Sequence, residues 1–343
     1  MTAWTEHLAR LGANLADATL HFSTPESEAR AADEATIAVP LLHLGVIRSL
    51  GPDSADFLHN LVSNDVKKLA ADAAEWNSFN SPKGRMIASL LMWPEAEGHA
   101  MALSADILPA FLKKFSMYVL RSKVKLSDAS ATLALVGVAG AEAAAALQAA
   151  GIELPAADMR QTVNAAGVRC IRLDAQTHVL AVPAEAAPAV YDALLAKGAV
   201  KAGTAAWQLR MIRAGLPLIT APTQEEFVAQ MLNYELIGGV NFHKGCYPGQ
   251  EIVARTQYLG KLKKRMYRVA LPAGVAATPG MDVYAPDFGE QSAGKLVNTA
   301  PTADGGSEAL AVIQCSSAET GKLHLGAPDG PALALLPLPY ALG

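Results

Sequence analysis

Residues 242–260 hold the densest run of chemically capable side chains: Phe-His-Lys-Gly-Cys-Tyr-Pro-Gly-Gln-Glu-Ile-Val-Ala-Arg-Thr-Gln-Tyr-Leu-Gly. Gly245 and Gly249 bracket Cys246 and Tyr247, and glycine lets a backbone approach a ligand closely. Lys244 stands two residues from the thiol, and a neighbouring cation favours the nucleophilic thiolate. From Gln250 the pattern predicts a helix start, whose exposed N–H groups suit a carboxylate or another anion. A second reading needs no chemistry: a tight turn holding a small buried cysteine. Both readings stand at this level, because one cysteine beside one lysine does not define a site.

The same stretch is basic. Residues 243–268 carry Lys244, Arg255, Lys261, Lys263, Lys264, Arg265 and Arg268 against one acid, Glu251. Such a run can meet a polyanion: a polyglutamate tail, RNA or a phosphate. For 261–264 a strand edge guarded by lysines is the preferred reading. Lys244 and Arg255 flank the glycine loop and are the better ligand candidates. The whole chain has a net charge of −4, so bulk composition does not make it a nucleic-acid binder.

Other chemistry is sparse. Cys170, Cys246 and Cys315 lie far apart with no C-x-x-C pair, which fits a reducing compartment and argues against a disulfide framework or a cysteine-rich metal site. His43, His59 and His243 lack metal-ligand spacing and read as packing or surface residues. No nucleophile elbow, phosphate loop or dinucleotide fingerprint is present. Trp207 and Tyr234 read as core, although a pterin would need an aromatic neighbour.

Holding such a loop takes a core, and 51% hydrophobic against 17% charged residues supply one. The 343 residues exceed one ordinary domain and predict two or three. The N-terminus shows no signal peptide, and no run of about 18 apolar residues predicts a membrane span; the expectation is a cytoplasmic protein, by default a monomer. Residues 1–35 read as a weak helix, a short strand and an Ala/Glu/Asp-rich link. A bent strand follows over 36–50, then a helix over 54–62 capped by Asp53 or Ser54. Strands 75–80 and 86–93 flank Ser81-Pro82-Lys83-Gly84 as a hairpin. Ser104 is expected to cap a helix with Ile107, Phe111, Leu112, Phe115 and Val119 on one face. The β-α-β-β-α order over 133–196 suggests a ferredoxin-like unit. Helices are expected at 204–214 and 225–233. Short strands at 266–271, 281–285, 292–298, 308–315, 322–325 and 332–336, separated by glycine and proline, predict a small barrel or sandwich.

Lys244-Gly245-Cys246-Tyr247-x-Gly249-Gln250-Glu251, followed by Val253-Ala254-Arg255, resembles the signature of the YgfZ-type folate-binding family, relatives of the glycine-cleavage T-protein. Looser similarity extends to Leu44-Gly45-Val46-Ile47, Gly51-Pro52-Asp53, Ser63-Asn64-Asp65-Val66, Arg213-Ala214-Gly215-Leu216-Pro217, Gln230-x-x-Asn233 and Gly238-Gly239-Val240-x-Phe242, and so spans about residues 40–340. The resemblance implies an α+β fold: a three-domain T-protein-like ring. Its parts would be a discontinuous folate-binding domain (1–130 with 204–264), a ferredoxin-like middle domain (131–203) and a C-terminal β-barrel (265–343).

It also implies tetrahydrofolate or a one-carbon derivative as cofactor, and a role in iron–sulfur enzyme assembly or repair and iron–sulfur-dependent tRNA modification. The expected partners are iron–sulfur enzymes, tRNA-modifying ones included, with direct tRNA contact the less supported case. Cys246 is then the functional thiol with Lys244 beside it. Arg255, Arg210 and Arg213 are candidates for the folate carboxylates, because arginine matches a carboxylate bidentately. Gln250 joins them as a binding candidate, and Tyr247 or Tyr234 would meet the pterin. One departure stands out: where the T-protein carries a catalytic aspartate, this chain has Ala88 and Ser89. A folate-dependent aminomethyltransferase or demethylase is therefore the weaker alternative, and a scaffold using the 244–268 stretch weaker still.

Overall fold

A computed structural model describes residues 2–16, 18–258, 260 and 262–342. Leu259 and Lys261, part of the glycine-loop segment and the basic run, lie outside the described residues. The chain divides into two compact units, both discontinuous. The first comprises residues 1–57, 68–75 and 91–207; the second comprises 58–67, 76–90 and 208–343. Among the described residues no helix is long and apolar enough to cross a membrane.

The first unit contains a six-stranded sheet ordered Arg160–Val163, Arg169–Asp174, Thr177–Pro183, Leu133–Ala139, Ile37–Pro40 and Val200–Lys201. Leu133–Ala139 is buried at every position, the mark of a strand covered on both faces. Ala134, Val136 and Val138 share a core cluster with Leu147, Tyr191 and Leu194 from the helices Ala143–Ala149 and Ala187–Ala196. Gly137, out of phase with these three, meets Trp207: a Cβ there would fall 2.3 Å from the indole ring. The unit also pairs Leu44–Leu50 with Gly98–Ser104 on one side and Lys125–Asp128 on the other.

Two expectations in this unit are corrected. The helix after the third hairpin strand is Leu108–Ser116; Ser104 ends the strand Gly98–Ser104, and the N-cap is Ile107, with no side-chain cap. Phe111 and Phe115 face inward as expected, while Val119 lies beyond the helix. The supposed link before residue 35 contains the helix Pro25–Glu34, capped by Thr24 Oγ1 on the Ser27 N–H at 3.3 Å, with proline in its first turn. That start signal was present in the sequence.

His43 and His178 are both buried in this unit, and burial lowers each imidazole to about 4. Arg172 adds to the His178 shift; Asp174 and Asp158 oppose it. Below the ordinary value near 6.5 the unfolded chain binds protons that the folded imidazoles refuse, so stability is full above that value and falls on acidification toward pH 4. Urea titration at pH 7.5 and pH 5 should show a loss of about 2 kcal/mol per histidine. His43→Gln should flatten the dependence; an unchanged pH profile in that variant would contradict the assignment.

The second unit ends in a closed six-stranded barrel. Its order is Lys264–Leu271, Ser307–Gln314, Ser292–Pro301, Asp282–Tyr284, Leu323–Leu325 and Ala332–Leu336, the last pairing back with the first. Val269, Leu296, Ala311 and Ile313 lie in its core. The glycine and proline rhythm of the sequence located all six strands to within a few residues.

Elsewhere in this unit the expected helix 225–233 is absent. Glu225 and Asn233 are left-handed, at φ 59° and 57°, and only the short 3-10 turn Ala229–Leu232 forms. Local helical propensity yields here to strand-like pairing with the hairpin: Glu225 N–H donates to Met86 O at 2.8 Å, and Met86 N–H to Phe227 O at 2.8 Å.

Candidate functional site

The glycine loop and everything shown to hold it belong to the second unit. Strand Glu75–Asn80 turns through residues 81–84 into strand Met86–Glu95. Gly249, at φ 77°, packs backbone to backbone on that turn: a Cβ there would lie 2.5 Å from Ser81 O and 2.6 Å from Gly84 Cα. Gly84, at φ 71°, packs in turn on Ile252. Only glycine meets both the left-handed backbone and the close approach. The helix Gln250–Tyr258 begins directly after Gly249, as the sequence predicted.

At its other end the loop is anchored by Lys244. This residue is buried, and its Nζ donates to the carbonyls of His59 and Val62, the latter at 2.5 Å. The ammonium also lies 4.9 Å from the centre of the Tyr247 ring, a cation–π contact. His59 ends the helix Ser54–His59, so the lysine satisfies a carbonyl that the helix leaves open, while Val62 O lies three residues beyond it. Tyr247 is buried, and its phenol is pushed up to about 12 by that burial. Gln250 Nε2 reaches Lys244 O at 3.4 Å and closes the loop on itself.

Between two buried neighbours in this motif, Cys246 is exposed. The turn with a small buried cysteine is thus not what forms. Lys244, Tyr247 and Gln250 come together around the loop, and their shared effect is to fix its backbone while the thiol faces solvent.

The remaining candidates are spread through the unit. Arg255 is exposed on the helix Gln250–Tyr258. Arg210 is half-buried on the helix Thr204–Arg213. Arg213, on the same helix, joins Glu308: Nε lies 3.0 Å from Oε1, while Arg268 Nε stands 3.1 Å from Oε2. Tyr234 is fully buried, and burial pushes its phenol well above the ordinary value, with Ser89 offsetting part of the shift. Arg265 donates to Glu235 Oε1 at 2.5 Å. The basic run is therefore partly internal: Lys244, Arg265 and Arg268 serve packing and ion pairing.

Several neighbours of the loop were not among the site candidates read from the sequence. His59 Nδ1 lies 3.1 Å from Asp65 Oδ1. Burial, then the Lys244 charge, lowers the His59 pKa against the opposing pull of Asp65. Ser63 Oγ donates to Gly239 O at 2.6 Å and accepts the Ser78 N–H at 2.7 Å. Asn64 Nδ2 donates to Gly238 O at 2.7 Å and Trp76 O at 3.2 Å. These bonds stitch residues 58–67, 76–90 and the approach to the loop into one polar framework.

Within that framework Ser78 Oγ and both polar atoms of the Asn80 amide are buried without a hydrogen-bond partner among the described residues. Buried polar groups are rarely left so. The one signal in the sequence was a hairpin strand, Glu75–Asn80, with polar Asn77, Ser78 and Asn80 where apolar residues would be ordinary. Position 88 is a buried alanine, and Ser89 Oγ accepts the Ile219 N–H at 2.9 Å. No carboxylate stands at either position.

The GCVT N-terminal domain family matches residues 13–237. The protein of Serratia proteamaculans named tRNA-modifying protein YgfZ is 30% identical over 296 residues, covering 85% of this chain and 88% of that protein. Its namesake from Cronobacter sakazakii is 30% identical over 295 residues, covering 85% and 89%. In structure, the glycine cleavage system aminomethyltransferase T from Bartonella henselae superposes with a TM-score of 0.78 at 15% identity, over 99% of this chain and 97% of that one.

Proposed function

This chain belongs to the GCVT family, in its YgfZ-type branch, and on that premise we propose that it is a tetrahydrofolate-binding protein that supports iron–sulfur enzymes, and through them tRNA modification, with Cys246 as its functional thiol. The observation that carries the reading is the exposed thiol on a loop pinned at both ends, by Gly249 and by Lys244. A cysteine kept for packing is buried, as Cys170 is. The two relatives named tRNA-modifying protein YgfZ match over 88% and 89% of their own length, which supports the tRNA part of the reading.

The residues present fit a folate. The orphaned Asn80 amide offers a donor and an acceptor of the kind a pterin ring uses. Exposed Arg255 and half-buried Arg210 are assigned to the glutamate carboxylates. Arg213, already on Glu308, has a positioning role. Tyr247 and Gln250 act through the loop they close. Bound folate supplies a carrier for one-carbon units; the protein binds, orients and presents a thiol. With Ala88 and Ser89 in place of an acid, aminomethyl transfer lacks its carboxylate. The finer division into three domains, with 131–203 as a ferredoxin-like unit, is part of the same proposal.

Calorimetric titration with tetrahydrofolate tests the binding half. Wild type should bind. Asn80→Leu should weaken binding about tenfold or more, since a ligand hydrogen bond is lost and its partner left unpaired. Absence of binding heat and of competition against a fluorescent folate in the wild type would overturn it.

A further inference from the structure

The first unit presents a surface that the folate reading leaves unused. Beyond the helix Leu108–Ser116 the chain exposes Met117 at 67% and Leu120 at 89%, with Tyr118 beside them at 37%. Leu120 is held at φ 40°, a left-handed conformation costly for a leucine. The turn is nonetheless tightly built. Met117, Tyr118 and Val119 N–H groups bond back to Lys114, Phe115 and Ser116 at 3.2 Å each, and Ser122 N–H donates to Val119 O at 2.8 Å. Asp53 Oδ2 accepts the Lys123 N–H at 2.7 Å. A cavity of about 710 Å³ opens at its foot, lined by Asp53, Tyr118, Leu120, Arg121 and Ser122.

Basic residues flank the apolar tip in sequence, with Asp53 the acid at its foot. Between Asp106 and Asp128 the sequence has five basic residues, Lys113, Lys114, Arg121, Lys123 and Lys125, and no acid. In a chain of net charge −4 this is a local reversal of sign. It acts over about 8 Å at physiological salt, so distant acids do not cancel it. An exposed apolar turn flanked in sequence by lysine and arginine matches how proteins enter nucleic acids: cations hold phosphates while leucine or methionine slips between bases and an aromatic ring stacks.

We propose that residues 113–125 are an RNA-binding surface for an unpaired, phosphate-rich segment, with Leu120 and Met117 as the wedge and Tyr118 as the stacking platform. An acidic protein would also meet the charge. An exposed apolar turn of three residues beside basic residues is better suited to separating stacked bases than to covering the broad apolar area that a protein interface needs. The proposal is independent of folate and of Cys246, and it fails or stands without them.

Fluorescence anisotropy of the full chain with labelled bulk tRNA tests it, with poly-L-glutamate as a second labelled probe. Wild type should bind tRNA with a log K against log salt slope of about −3.5, for five phosphates on a single strand. Lys113→Gln with Lys123→Gln should flatten that slope to about −2. Leu120→Asn should weaken tRNA binding about tenfold at fixed salt without changing the slope. Its melting temperature should hold or rise, because asparagine accepts the left-handed backbone. Three results would each overturn the proposal: no tRNA binding at low salt, wild-type affinity in Leu120→Asn, or poly-L-glutamate binding as tightly as tRNA.

Discussion

Under the proposed function, replacing Cys246 with alanine should abolish support of iron–sulfur enzymes and leave the fold and folate binding unchanged. The side chain is exposed, and substitutions at exposed sites usually shift stability by no more than about 0.5 kcal/mol. The loop's conformation rests on Lys244, Tyr247 and Gly249 rather than on the sulfur. In a deletion strain, the Cys246→Ala protein should restore iron–sulfur enzyme activity no better than an empty vector, at wild-type protein abundance. Full restoration would remove the thiol from the function while leaving folate binding intact. Cys170 is the contrasting control. It is buried and its thiol is pushed up to about 12 by that burial, so Cys170→Ala should act on stability and spare function.

The second large effect is expected from Gly249→Ala. A methyl group there would meet Ser81 O and Gly84 Cα at 2.5 and 2.6 Å, on a backbone at φ 77°. Neither contact is a flexible side-chain end that can move aside. The left-handed penalty and the overlap together cost about 2–4 kcal/mol, read as a lower urea midpoint, and the loop should detach from the hairpin turn. Cysteine labelling then reports on it, because a freed loop changes the modification rate of Cys246. Gly245→Ala, four residues earlier, is the matched control. Its nearest neighbour would be His59 Nε2 at 3.5 Å, an ordinary contact, so stability and labelling should stay near wild type. Equal behaviour of the two variants would refute the packing argument.

What the sequence made readable follows from the physics involved. The barrel strands were visible because glycine and proline interrupt each one, and the hairpin 75–93 because Pro82 and Gly84 mark its turn. The candidate loop was picked out by residue types alone. What it does with them was not: Lys244 was expected to act on the thiol, and its ammonium sits on the carbonyls of His59 and Val62, residues remote in sequence. The orphaned Asn80 amide could not be foreseen either, since whether a polar strand residue is satisfied depends on its neighbours in space. The false helix at 225–233 has the same origin: the pairing of Glu225 and Phe227 with Met86 outweighs local preference. The Lys113–Lys125 surface was hidden by its own helix pattern, which assigned Val119 to an inward face it does not have.

The interleaving of the two units bears on how the chain is made. The first unit has all of its residues once position 207 has left the ribosome, while the second requires residues up to 343. Segments 58–67 and 76–90 are synthesised early yet belong to the late unit. At about 5–20 residues per second they wait several seconds for residues 208 onward. Leu58, Val62, Phe79, Met86 and Leu90, all buried in the finished protein, await the rest of their unit in that interval. Nascent chains stalled between positions 210 and 240 should therefore engage chaperones more than chains stalled at the end.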